Sequence, residues 1–177
     1  MKKVFGMLFA LLVSATMFAG NTVKVVNGKK EAKEIFNEKV VAVAQIDWNN
    51  VKYDNSKDLH EIWGDKYDYF VKACTENFVN GFNDESKGLQ VTVNTSEAKY
   101  KMVVKLTNID KYFNVMNIVP GHTVKIWATI IVATISGEQK VEIEADSMKG
   151  SRDFSPDDCY TKAFRILGER VAKSVNK

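Results

Sequence analysis

The side chains able to do chemistry are few and scattered. The chain holds two histidines, His60 and His122, and two cysteines, Cys74 and Cys159. Neither histidine stands in an HxH or HExxH setting, and two alone cannot build a histidine-rich metal site. Both fall in stretches that read as solvated loops. No Gly-x-Ser-x-Gly turn is present to hold a nucleophile, and Gly150-Ser151 reads as an ordinary polar turn. No Walker loop or Gly-x-Gly-x-x-Gly loop is present to cradle phosphates. Asp65 with Asp68 and Asp157 with Asp158 are paired carboxylates, but both pairs stand at expected helix starts, where capping accounts for them. The chain therefore reads as non-catalytic, with no catalytic residue, no cofactor and no metal expected.

The cysteines carry a sharper question. Cys74 lies on the apolar stripe of one expected helix and Cys159 in the first turn of another. If those helices pack side by side, the two could pair as a disulfide. In the chain-entropy model such a bridge contributes roughly 3–4 kcal/mol. The alternative is two separate buried thiols acting as small apolar residues. Aromatic and methionine side chains are common anchors at binding surfaces. Tyr112, Phe113, Met116, Ile118 and His122, flanking Pro120-Gly121, form the expected partner-contacting loop. Trp48, Trp63 and Tyr53 also lie near expected loops, where packing is the commoner role.

These residues need elements to hold them. Thr22 to Val26 is β-prone, and Asn27-Gly28 is a turn signal. Glu31 to Glu38 fits a short helix or an irregular connector. Val40 to Ile46 is a short, nearly unbroken apolar run, which predicts a strand buried on both faces. Lys52 to Gly64 reads as a long loop. From Asp65 the residues Tyr67, Phe70, Val71, Cys74, Phe78 and Phe82 recur at steps of three and four, predicting a helix that ends near Asn83. Leu89 to Val93, Tyr100 to Leu106, Val124 to Ile135 and Val141 to Ala145 read as strands, the last two joined through Ser136-Gly137. Ser155, Pro156, Asp157 and Asp158 give N-cap, N1, N2 and N3 of a final helix, with Tyr160, Ala163, Phe164, Leu167, Val171 and Val175 as its buried stripe. The core order is β-α-β-β-β-β-α. Two helices with one apolar stripe each can share one face of a sheet, so the expected fold is α+β: a two-layer sandwich with a mostly antiparallel sheet.

The N-terminus sets the address. Met1-Lys2-Lys3 precedes an apolar run from Val4 to Val13, then Ser14-Ala15-Thr16 and Met17-Phe18-Ala19, of which Ala19 is small at the cleavage position. That is the length of a signal-peptide core and is shorter than the roughly 20 residues a membrane-spanning helix needs. Residues 1–19 are the expected signal peptide, and 20–177 the expected single α/β domain. No cysteine stands near the cleavage point to take a lipid, and no second run is long enough to anchor the mature chain. Of the net charge of +3, two units leave with Lys2 and Lys3. The remaining lysines are dispersed, mostly beside acids, and there are only three arginines, so no nucleic-acid partner is expected.

Several segments together carry a resemblance. The strand ending in Ile46-Asp47-Trp48, the helix running into Phe78-Val79-Asn80-Gly81-Phe82-Asn83, the strand Ala98 to Val104 and the capped C-terminal helix resemble uncharacterised exported proteins of Bacteroidetes. The element order is similar to the N-terminal part of TolB, to curli secretion lipoproteins of the CsgG type and to lipopolysaccharide-assembly lipoproteins. The resemblance implies an exported envelope module, periplasmic or extracellular, that works by binding other envelope proteins. It also implies that Asp146-Ser147-Met148 matches a short O-glycosylation acceptor pattern. A small-ligand or glycan binder is the alternative function, and an enzyme of unrecognised type a further one. The sequence leaves the partner and the oligomeric state unknown.

Overall fold

The computed structural model describes residues 22–94, 97–114, 121–151 and 153–176. The expected signal peptide lies outside the described residues, as do Met116, Ile118, Pro120 and Arg152. In chain order the elements are β1 (Thr22–Asn27), α1 (Lys29–Asn37), β2 (Val41–Asp47), β3 (Lys52–Tyr53), β4 (Lys57–Asp58) and α2 (Leu59–Trp63). Then come α3 (Tyr67–Glu85), β5 (Gln90–Thr92), β6 (Tyr100–Asn114), β7 (Gly121–Thr134), β8 (Gln139–Lys149) and α4 (Asp158–Lys173).

The strands form one eight-stranded sheet whose main path runs β1-β8-β7-β6-β2-β5, with β3 and β4 off that path beside β6. β6, β7, β8 and β1 pair antiparallel, while β2 runs parallel to both β5 and β6. The α+β sandwich and the mostly antiparallel sheet therefore stand as expected. Antiparallel strands alternate core and solvent side chains. Met102, Val104 and Leu106 on β6, Ile126, Ala128, Ile130 and Val132 on β7, and Val141, Ile143 and Ala145 on β8 are all buried. They meet Phe70, Cys74, Phe78 and Phe82 of α3 and Tyr160, Phe164, Leu167 and Val171 of α4 in one core.

The two long helices lie against each other at two glycines. A methyl group added at Gly81 would overlap the Arg165 carbonyl, and one at Gly168 would overlap backbone atoms of Phe78 and Phe82. Asn83 ties α3 to the sheet edge: its side chain accepts from the Val91 N–H at 2.8 Å and donates to the Val91 carbonyl at 2.9 Å.

Several local expectations change. Lys52–Gly64 is not one long loop, because β3 pairs with β6, β4 pairs with β3, and α2 follows at once. The Asp58 carboxylate accepts from the His60 N–H at 2.8 Å and so starts α2. α3 begins at Tyr67 after a 3-10 turn over Gly64–Lys66, with no side-chain cap from Asp65. The break follows from Gly64, whose φ of 49° ends α2. α4 begins at Asp158, not at Pro156, although Ser155 Oγ still accepts from the Asp158 N–H at 3.2 Å. The residues from Lys29 form a helix, not an irregular connector, and Phe36 packs on Phe82 with ring centres 5.5 Å apart.

Candidate functional site

The described part of the expected contact loop is strand. β6 and β7 stay paired to their ends, with Tyr112 opposite Thr123, Phe113 opposite His122 and Asn114 opposite Gly121. Alternation then sends Phe113 and His122 to one face of the hairpin and Tyr112 to the other. Phe113 is 51% exposed, and its ring centre lies 5.0 Å from that of His122. On the opposite face, Lys125 Nζ lies 5.2 Å and Lys149 Nζ 5.9 Å from the Tyr112 ring centre. Tyr112, Phe113 and His122 are thus brought to one end of the molecule.

A second segment is strapped to the same end. The His122 N–H donates to the Asp153 carbonyl at 2.7 Å, and the Asp153 N–H returns to the His122 carbonyl at 3.0 Å. The Asp153 carboxylate takes the Lys162 ammonium and the Ser155 N–H, and these partners hold its pKa below the ordinary value. The strap presents Phe154, which is 72% exposed. The sequence reading missed Phe154; a lone aromatic inside the polar stretch Gly150 to Asp158 was the available signal.

His60 is not a free loop histidine: its ring stacks on Tyr67 at 3.5 Å between centres. Trp63 is buried at 5% exposure and packs on Trp48, Phe70 and Tyr160. Around it opens a cleft of about 390 Å³ lined by Trp63, Asp65, Lys66, Lys111, Asp157 and Tyr160, among others. Lys66 and Asp157 pair across its rim at 2.6 Å. Trp63 Nε1 and the Tyr160 hydroxyl are buried and make no hydrogen bond among the described residues. Burial pushes the Tyr160 hydroxyl pKa up. Asp110, between Asp54 and Lys125, is also pushed up, first by burial and then by Asp54.

Cys74 and Cys159 are both buried and both free in the structure. Burial raises each thiol, Cys159 to about 11, and the Cys159 charge adds to the rise at Cys74. Cys159 Sγ donates to the Pro156 carbonyl at 3.1 Å. Ser147 sits within β8 at a φ of 42°, half-buried. Among the described residues no cluster of His, Cys, Asp and Glu could hold a metal ion, and no helix is long and apolar enough to cross a membrane.

These features belong to a two-layer α+β sandwich with an exposed aromatic end. No family model matches the chain, and no curated protein matches it. The likeness to solved structures is weak. PelC of Paraburkholderia phytofirmans, crystallised as a dodecamer, is similar at 11% identity and a TM-score of 0.45, over 87% of this chain and 97% of that one. A neuraminyllactose-binding hemagglutinin homolog from Helicobacter pylori is similar at 10% identity and a TM-score of 0.37, over 76% and 82%. A minor lipoprotein from Acinetobacter baumannii is similar at 8% identity and a TM-score of 0.28, over 77% and 89%. At these values the likeness says nothing about what this chain binds.

Proposed function

We infer that the protein is an exported, non-catalytic envelope module that works by gripping another protein with the end of the β6–β7 hairpin. One observation carries the reading: Phe113 and Phe154, half and nearly three-quarters exposed, stand in the two strapped segments that meet at His122. Large aromatic side chains left in water suit an anchor role, and Phe154 is the most exposed of the large apolar residues described. The export signal read from residues 1–19 supports the envelope address.

Co-purification from the native envelope tests this. The unaltered chain should bring down a defined partner, and Phe113→Ser with Phe154→Ser should lose it while the circular dichroism spectrum stays native. Recovery of the same partner with the double variant would refute the reading. A small-ligand or glycan binder is the second reading, supported by the cleft at Trp63 and Tyr160 with its two unpartnered polar atoms.

A further inference from the structure

The sheet has a second face, and it carries an ordered charge pattern. The α3 and α4 side chains fill one face; on the other, among the described residues, no helix lies over the strands. Cross-strand partners point to the same face. One row of partners crosses five strands: Asp47 on β2, Lys105 on β6, Thr129 on β7, Glu144 on β8 and Lys24 on β1. Their chain neighbours Ile46, Leu106, Ala128, Ala145 and Val25 are buried on the helix side, so this row faces outward. Its signs read minus, plus, neutral, minus, plus. The pattern is antisymmetric about β7.

The centre of that face is less polar. Trp127, Ile131 and Ala133 stand half-buried along β7 on either side of Thr129, with Val103 opposite Ile131 on β6. Lys101 lies one row further along β6, and Glu142 lies on β8 opposite Ile131. A shallow depression of about 260 Å³ opens between Lys24, Trp127, Thr129 and Glu144.

We propose that this face docks a second copy of the same chain, sheet on sheet, about a twofold axis running along β7. Such an axis exchanges the two sides of the sheet and keeps each row in place. It sets Lys105 of one copy over Glu144 of the other, and Lys24 over Asp47, twice each. Lys101 comes diagonal to Glu142, and Lys105 of the second copy enters the shallow depression. The apolar spine of each β7 meets its counterpart at the axis. An axis across the strands would instead lay β8 on β8 and oppose like charges, so the pattern selects one orientation. Isologous contact is the commonest form of self-association, and aligned packing is an established way for two sheets to meet. Exposed ion pairs add little affinity singly; here they fix orientation while the spine supplies the contact.

The inference concerns a different surface from the hairpin end, so the two stand or fall separately. Sedimentation equilibrium on the purified protein tests it. A dimer is expected, weakened about tenfold or more by Lys105→Glu alone and by Glu144→Lys alone. The two changes together should restore association, because each new acid again faces a new base. Ile131→Asp should give a monomer with a native circular dichroism spectrum, and the charge variants decide the matter if it fails to fold. A monomer throughout the micromolar range overturns the proposal. So does a dimer indifferent to the single charge changes, or one that the paired change does not restore. Loss of dimer should leave capture through Phe113 and Phe154 intact.

Discussion

At the scale of single residues, Gly168 and Gly81 control how closely the two long helices approach. Neither is needed for its backbone angles; each is small because the facing helix backbone occupies the space a Cβ would take. Alanine usually stabilises a helix interior relative to glycine by up to about 1 kcal/mol. Here the collision is with backbone atoms of Phe78 and Phe82, which cannot swing aside, and overpacking typically costs about 1–3 kcal/mol. Gly168→Ala should therefore destabilise the protein in urea unfolding, against the helix-propensity trend. Stabilisation would show that the helices can part without cost. The sequence displayed the apolar stripes of both helices but gave no reason for these glycines, since the facing carbonyls come from distant segments. The same limit applies to His60, read as solvated because Tyr67 could not be placed beside it.

At the scale of elements, periodicity revealed the helix stripes and the β6, β7 and β8 alternation, because those patterns are local. It did not reveal how far the β6–β7 hairpin extends. Tyr112, Phe113 and His122 read as loop next to Pro120-Gly121, yet cross-strand pairing carries the ladder to Asn114 and Gly121. Thus the candidate contact residues were legible as a group while their setting was not. Phe154 escaped because its exposure depends on the bridge between Asp153 and His122. That strap gives a pH prediction. The Asp153 carboxyl lies below its ordinary pKa, so its contribution to folding is full above the unfolded value of about 3.9 and fades as pH falls through the lower, folded value. Asp153→Asn should lower stability at neutral pH, and the gap to the unaltered protein should close only in strong acid. Urea unfolding across a pH series measures it; a gap that already closes near neutrality would contradict the assignment to Lys162 and Ser155.

At the scale of the whole molecule, the two proposed contacts use opposite resources. The hairpin end offers exposed rings at one extremity, while the open sheet face offers a charge pattern that complements its own rotated image. Each row member is an ordinary solvent-facing residue in sequence. The antisymmetry exists only once the strand order β2-β6-β7-β8-β1 is known, and sequence order does not supply it.

That strand order also bears on how the chain reaches its fold. Thr22 pairs with Asp146 and Val25 with Ile143, so most of the described chain, though not α4, lies between β1 and its partner. The β6–β7–β8 meander joins strands that are close along the chain and can assemble early, whereas β1 must wait until its acceptor edge exists. β1 is therefore a closing latch. If residues 1–19 are an export leader, the segment immediately behind the leader is the one that the finished sheet admits last.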